Sequence, residues 1–263
     1  MNINQKANNN YNKKIVYNEH IKNVIAVVSG KGGVGKSFIT AALANQLEKK
    51  GYKVGIIDAD ITGPSIAKSF CLNEKAIGTE TQICPVLTKS NIKIISINFM
   101  LEDTETPVIW RSSLINSAIT QFYEMTDWQD LDFLLIDMPP GTSDVQITVF
   151  KNFNLDGLIF VSTPQDLVGE VVQKSLNMAK LMNQKILALV ENMSYFVCNE
   201  CDKKHYIFGD SKLNNILIKN NIKNFVQIPI DSNYSKYIDN GSIEDINIEQ
   251  IDDLIKIVEN KLN

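Results

Sequence analysis

Short apolar runs alternate with amphipathic stretches along most of the chain, and these two periods predict alternating strands and helices. Continuous apolar runs of the kind that form strands buried on both faces lie at 24–29, 53–57, 92–97, 133–136, 157–161, 186–190 and 225–228. Helical spacing fills most of the gaps. From 38 to 50, Ile39, Leu43 and Leu47 share one face, and Gly51 can end the helix. From 164 to 182, Thr163 can cap, Pro164 suits the first position, and Asp166 sits where an acid completes the cap. Val168, Val171, Val172, Ser175, Ala179 and Met182 then form a stripe. A last helix from 248 to 262 carries Ile251, Leu254, Ile255, Val258 and Leu262 on one face. The expected fold class is α/β, a mostly parallel sheet of about seven strands flanked by helices on both faces.

Two segments stand outside this alternation. Residues 1–20 are polar and Asn-rich and read as a flexible arm, and 69–89 shows no clear periodicity and reads as a surface excursion. The expected organisation is that arm followed by a single domain over 21–263. Composition changes this picture little. The hydrophobic fraction of 44% supplies a core, and the net charge of −4 gives no general attraction to nucleic acid or anionic membrane. No apolar run approaches the roughly 20 residues of a membrane span, and the N-terminus lacks the apolar centre of a secretory signal. The 4 cysteines are too few for a disulfide scaffold, so a reducing cytoplasmic setting is expected. Cys71 and Cys84 stand alone and read as small buried apolar residues.

Chemistry enters at Gly30-Lys31-Gly32-Gly33-Val34-Gly35-Lys36-Ser37, between the first strand and the first helix. It fits the phosphate-binding pattern of Gly, four residues, Gly, Lys and Ser or Thr. Glycines let the backbone approach phosphate closely, N–H groups point inward, and the positive end of the helix dipole faces the anion. Lys36 is expected to reach the β- and γ-phosphates, and the Ser37 hydroxyl to hold Mg²⁺.

Carboxylates follow two later strands. Asp58-Ala59-Asp60-Ile61-Thr62-Gly63-Pro64-Ser65 follows the second, and Asp137-Met138-Pro139-Pro140-Gly141-Thr142-Ser143-Asp144 the fourth. An ATPase needs an acid beside Mg²⁺ and polar groups to orient the attacking water. Asp137, ending an apolar strand, is the expected metal-side acid. Asp58 and Asp60 are expected to contact Mg²⁺ and water. Asp144 reads equally well as a helix-capping acid. In this type of sheet ligands sit beyond the carboxyl ends of the strands, and every motif except the Cys71 and Cys84 loop follows a predicted strand.

After the sixth strand come Glu191-Asn192-Met193-Ser194-Tyr195 and then Cys198-Asn199-Glu200-Cys201. Two thiolates at this spacing can hold one metal or one edge of a cluster. A tetrahedral Zn²⁺ site or a four-iron cluster wants four ligands, and a two-fold dimer would bring two pairs together. The spacing leaves zinc and cluster open. His205 is near enough in sequence to be a ligand, but beside Lys203 and Lys204 it reads more simply as a surface histidine. The Asn192 amide can pair with adenine N6 and N7, and no guanine signature follows a strand, so ATP is expected over GTP.

Lys31, directly after the first glycine of the loop, resembles the signature lysine of the deviant P-loop superfamily that includes the MinD and ParA ATPases and the nitrogenase iron protein. The segments 58–65 and 137–142 resemble its Mrp/ApbC branch, ATPases that carry iron–sulfur clusters, over about residues 21 to 231. The resemblance implies an ATPase in which Lys31 reaches the partner's nucleotide across a homodimer, and turnover is expected to be slow because the loop holds no additional catalytic arginine. It implies a labile [4Fe-4S] cluster bridging two subunits through Cys198 and Cys201, received from assembly scaffold proteins and passed to apoproteins. With a net charge of −4 and no basic tail, no nucleic-acid or membrane partner is expected. The sequence departs from the family's common Trp-Arg-Gly-Pro at Trp110-Arg111-Ser112-Ser113. It also has Asn233-Tyr234 after Asp231 in place of the usual arginine, and no counterpart of the small domain that precedes the ATPase in many members. Two other classes remain for comparison. A MinD/ParA-type positioning ATPase would want a basic amphipathic tail or patch, whereas the last helix mixes Glu249, Asp252, Asp253 and Glu259 with Lys256 and Lys261. A zinc-bridged structural dimer would have a vestigial nucleotide site.

Overall fold

The computed structural model describes residues 18–61, 63, 65–79, 81–100, 112–165, 170–209, 211 and 213–262. The strands are β1 (Ile21–Ser29), β2 (Val54–Asp58), β3 (Ile77–Gly78), β4 (Ile83–Cys84), β5 (Val86–Leu87), β6 (Lys93–Ser96), β7 (Leu131–Asp137), β8 (Gly157–Ser162), β9 (Ile186–Glu191), β10 (Phe196–Val197), β11 (Lys204–His205) and β12 (Phe225–Gln227). The α-helices are α1 (Lys36–Lys49), α2 (Ile66–Ser69), α3 (Ser112–Met125), α4 (Asp144–Asn152), α5 (Glu170–Leu181), α6 (Leu213–Asn220), α7 (Ser232–Asp239) and α8 (Glu249–Leu262).

Among the described residues the main sheet has 8 strands in the order β12-β9-β8-β1-β7-β2-β6-β5. Each expected strand is present. The additional one, β5, lies in the stretch read as an excursion and pairs antiparallel with β6, while the other neighbours are parallel. The same stretch holds the β3–β4 hairpin. With only two residues per strand, these elements are too short to show a periodicity of two.

Alternate residues of the strands feed two cores. Ile25 and Val27 of β1 and Phe133 and Leu135 of β7 pack with Ile39, Leu43 and Leu47 of α1 and with Ile251, Leu254, Ile255 and Val258 of α8. Val24, Ala26 and Val28, with Leu134 and Ile136, face Phe122, Tyr123, Val172, Leu176 and Ala179 on the other side. Helix α1 differs from the one-faced helix expected. Lys36 and every residue from Phe38 to Leu47 is buried, because α8 and the segment before it cover the side away from the sheet. The buried amide groups of α1 bond to that segment, with the Asn45 Oδ1 left without a partner. Gln46 accepts from Ile248 N (2.8 Å) and donates to Ile248 O (3.1 Å), and Asn45 donates to Ile243 O (2.9 Å) and Ile246 O (3.1 Å).

Other expectations shift. Helix α5 is described over Glu170–Leu181, and Pro164 and Gln165, expected in its first turn, lie in a turn instead. Asp166 and Val168 lie outside the described residues, as do residues 1–17, Thr62, Pro64, Trp110 and Arg111. Val171, placed in the buried stripe, is exposed, and Leu176 takes its place. Residues 18–20 form a turn into β1: Ile21 N donates to Asn18 O, and Leu131 N to His20 O. Cys71 and Cys84 are both exposed, against expectation. Cys71 occupies a left-handed position (φ 55°) after α2. Cys84 is the outward residue of a strand whose Ile83 turns inward. Among the described residues no helix is long and apolar enough to cross a membrane.

Candidate functional site

The parallel strands deliver their carboxyl ends to one edge, and the chemistry collects there. β1 ends at Ser29, and the chain wraps through Gly30–Ser37 into α1. Gly33 (φ +81°) and Gly35 (φ +83°) take left-handed conformations that an L side chain resists, the kind of backbone from which anion-binding concavities are built. The loop borders a cleft of about 330 Å³ that also meets Asp60, Ser65, Pro140 and Ile238. Lys31 is exposed at its mouth, and Lys36 is buried at its floor.

The floor is organised by Asp137. β2 and β7 are adjacent and parallel, and their register puts Asp58 directly beside Asp137. Asp137 receives Lys36 Nζ at 2.8 Å, Ser37 Oγ at 2.6 Å and Thr40 Oγ1 at 2.9 Å. Asp60 lies 3.9 Å from Lys36 Nζ. Asp58 accepts backbone N–H bonds from Asp60 and Ile66 (both 3.3 Å) and the Ser96 hydroxyl (3.4 Å). Burial, and then the charge of Asp137, push the Asp58 carboxyl up to about 8, against the opposing pull of Lys36 and the Ile66 N–H. Lys36, Ser37, Asp58, Asp60 and Asp137 are thus brought together at one place. The donor set fits Mg²⁺ bound with a nucleotide: one hydroxyl, two carboxylates in register, and a lysine close enough to share its charge. Thr40 was missed. Its signal was available, because a hydroxyl four residues beyond Lys36 shares the P-loop face of α1.

Asn192 lies beneath the loop. Its Nδ2 donates to Val34 O at 3.0 Å and its backbone N–H to Ser162 O at 2.8 Å. A Cβ on Gly35 would fall 2.2 Å from that Nδ2, so the glycine and the amide are mutually fitted. Asp144 is an exposed first-turn residue of α4, and Ser143 supplies the cap by accepting from Gln146 N. Asp231 caps α7, and Tyr234 of that helix stacks on Phe38 at 5.3 Å between centroids.

The cysteine segment leaves the same edge after β9. β10 and β11 form a hairpin whose loop carries Cys198, half-exposed, and Cys201, exposed. The N–H groups of Glu200 and Cys201, followed by the Cys201 side chain, hold the Cys198 thiol below its ordinary range, which favours the metal-binding thiolate. The ligand atoms of Cys198, Cys201 and His205 all lie within 4.8 Å of one another. His205, set aside on the sequence as a surface residue, is therefore brought to the thiols by strand pairing. Glu191 was also missed. It is fully buried and accepts from Ser194 Oγ (2.5 Å), Ser211 Oγ (2.6 Å) and Gln227 Nε2 (2.7 Å). A charged residue ending an apolar strand is the signal that marked Asp137, and it applied equally here.

The ParA family model, described as NUBPL iron-transfer P-loop NTPase, matches residues 20–262. An iron-sulfur cluster carrier protein of Clostridium perfringens is 44% identical over 234 residues, covering 86% of this chain and 82% of that protein. A cytosolic Fe-S cluster assembly factor NUBP2 homolog of Dictyostelium discoideum is 43% identical, with coverages of 82% and 84%. A solved nucleotide-binding protein of Archaeoglobus fulgidus, in complex with ADP and with cobalt found in it, superposes with a TM-score of 0.76 at 40% identity, covering 88% of this chain and 91% of that one. With the phosphate loop, the paired acids and the surface dithiol on one edge of a P-loop NTPase sheet, and with these matches along nearly its full length, the chain belongs to the NUBPL iron-transfer P-loop NTPase family.

Proposed function

We propose that this protein is an ATP-binding, slowly hydrolysing carrier of iron–sulfur clusters. A homodimer holds a labile [4Fe-4S] cargo between two Cys198/Cys201 pairs, receives it from scaffold proteins and passes it to apoproteins in the cytoplasm. The observation that carries the reading is the surface dithiol, with its thiolate-favouring turn, on the same sheet edge as a complete phosphate loop. One chain supplies two thiolates, and a four-iron cluster wants four, so two-fold pairing completes the set.

ATP sits with its phosphates in the loop of Gly30, Gly32, Gly33, Val34 and Gly35, and Lys36 turns to the β- and γ-oxygens. Ser37, Asp137 and Asp58 hold Mg²⁺, which supplies charge neutralisation at the phosphates. Asp60 orients the attacking water, and Lys31 reaches the partner's nucleotide. Asn192 reads adenine with its amide oxygen and the proton not committed to Val34. Turnover is slow because positioning is supplied without an additional arginine in the loop. Nucleotide changes the dimer geometry and so the hold on cargo, a switch that needs a few kcal/mol of differential affinity.

The test is anaerobic reconstitution with iron and sulfide, followed by metal counts and a visible spectrum, on wild type and Cys198→Ala/Cys201→Ala. About four irons per two chains in a brown dimer, absent from the variant while nucleotide binding survives, is the expected result. Colourless protein with tightly bound zinc would replace this reading with the zinc dimer. ATP hydrolysis with neither metal would refute it in favour of a positioning-type ATPase.

A further inference from the structure

His205 is joined to the dithiol by the fold. β10 and β11 pair with Phe196 opposite His205 and Val197 opposite Lys204. Directly opposed residues project from the same face of a hairpin, and Cys198, two residues beyond Phe196, shares that face. Cys198 N donates to Lys203 O at 3.0 Å, which continues the ladder, and Asp202 N donates back to Cys198 O at 2.9 Å. Asp202 takes a left-handed φ of 55° in the turn between the strands, and the Cys201 thiol lies beside the other two ligand atoms. The three ligand atoms already lie within 4.8 Å of one another. Ligands at zinc–sulfur and zinc–nitrogen bond lengths in a tetrahedron stand roughly 3.5–3.8 Å apart. Closing the site therefore needs rotamer adjustments, with the backbone left in place.

We propose that Cys198, Cys201 and His205 of a single chain bind one divalent metal ion of the zinc or ferrous class, with the fourth position left open. Charge favours this arrangement. Two thiolates, a neutral imidazole and a divalent ion sum to zero, whereas four thiolates around the same ion leave two negative charges to be solvated or paired. A histidine and two cysteines with an open fourth position also suit exchange, because an incoming thiolate or water attacks the ion without prior loss of a protein ligand. The inference meets the carrier reading at the two shared thiolates, so an ion in this site and the cargo cluster exclude each other. Resident metal then sets how much protein is free to take cargo.

The test is anaerobic titration of the full chain with Co²⁺ alone, followed by its visible d–d bands and its sulfur-to-cobalt charge-transfer band. Wild type should take one Co²⁺ per chain with a tetrahedral spectrum. His205→Ala should shift the d–d bands and lose at least about tenfold in affinity, and Cys198→Ala/Cys201→Ala should lose the charge-transfer band. Nucleotide binding by each variant checks that it is folded, and His205→Asn gives a second reading at the same position. An unchanged spectrum and affinity in both His205 variants, or one Co²⁺ per two chains in wild type, overturns the inference. Iron–sulfide reconstitution of the same proteins reports separately on the carrier reading. A normal cluster yield in His205→Ala leaves that reading intact whatever cobalt shows. A wild type that binds one cobalt per chain through His205 but takes no cluster overturns the carrier reading and supports this one.

Discussion

Lys36 Nζ stands 2.8 Å from Asp137 Oδ1, with 6% and 0% side-chain exposure respectively. The lysine that meets phosphate and the acid placed beside Mg²⁺ are therefore partners of each other, and Ser37 donates to the same carboxylate. Phosphate competes with Asp137 for Lys36, and Mg²⁺ competes with Lys36 for Asp137. Loading the site with both satisfies every group that the exchange releases, whereas either alone leaves a buried charge short of a partner.

From this pair, Lys36→Ala is expected to abolish nucleotide binding and to cost on the order of 3 kcal/mol of stability, because Asp137 stays buried beside Asp58 without its cation. Lys36→Ala/Asp137→Asn should recover much of that stability but none of the binding. Urea denaturation and nucleotide calorimetry on the two variants check this. A double variant no more stable than the single one would show that the ion pair is not the source of the loss.

Asp58 gives a pH prediction. Its folded carboxyl is raised to about 8, by burial first and Asp137 second, whereas an unfolded aspartate titrates near 3.9. Between these values the folded chain keeps a proton that the unfolded chain has released, so stability falls as pH rises through the window. The contribution is complete below about pH 4 and lost above about pH 8. Asp58→Asn should flatten the dependence by up to about 1.4 kcal/mol per pH unit. Unfolding midpoints from about pH 5 to about pH 8, without Mg²⁺ or nucleotide, are the measurement. Parallel curves for variant and wild type would mean that another group carries the dependence.

Gly35 and Asn192 should behave as a coupled pair. Gly35→Ala introduces a Cβ 2.2 Å from Asn192 Nδ2 and strains a left-handed φ of +83°. Asn192→Ala removes the donor to Val34 O, at a cost of roughly 1–3 kcal/mol for a buried carbonyl left unpaired. The two losses should not add. With the amide gone the steric part of the Gly35→Ala penalty disappears, leaving the backbone part of about 1–2 kcal/mol. A thermodynamic cycle on stability decides the matter, and strict additivity would rule out the contact.

Glu191 ties down both ends of the cysteine hairpin, because Ser194 precedes it and Ser211 follows it. Glu191→Ala leaves their hydroxyls and the Gln227 amide without this acceptor and should destabilise by about 2–3 kcal/mol. Hydrogen exchange should speed up through β10 and β11 before it does in β1. Metal retention by Cys198 and Cys201 should fall while nucleotide binding persists. If exchange rises uniformly across the sheet, Glu191 acts on the whole fold and not on the hairpin.

Much of the fold was legible because its signals are local. Apolar runs bounded by turn residues marked the parallel strands, and the loop at 30–37 carries its own glycines, lysine and hydroxyl in one stretch. The errors have a common cause. Val171 and Val172 are adjacent on α5 and equally apolar, yet only one faces the sheet. The all-round burial of α1 depends on α8, which joins it from more than a hundred residues away. The β5 edge strand has two residues and exists because β6 offers it an edge.

The sequence by itself determined a phosphate loop between strand and helix, a parallel α/β sheet, acids at strand ends and a pair of thiols. Each of these is written within a few consecutive residues, and their physics is local. Tertiary structure alone decided that Asp58 and Asp137 would stand side by side, because strand order makes neighbours of β2 and β7. It likewise decided that Asn192 would hold Val34 and that Glu191 would gather Ser211 and Gln227. The reason is that pairing register and packing set distances between residues far apart in the chain, and no local pattern encodes such a distance.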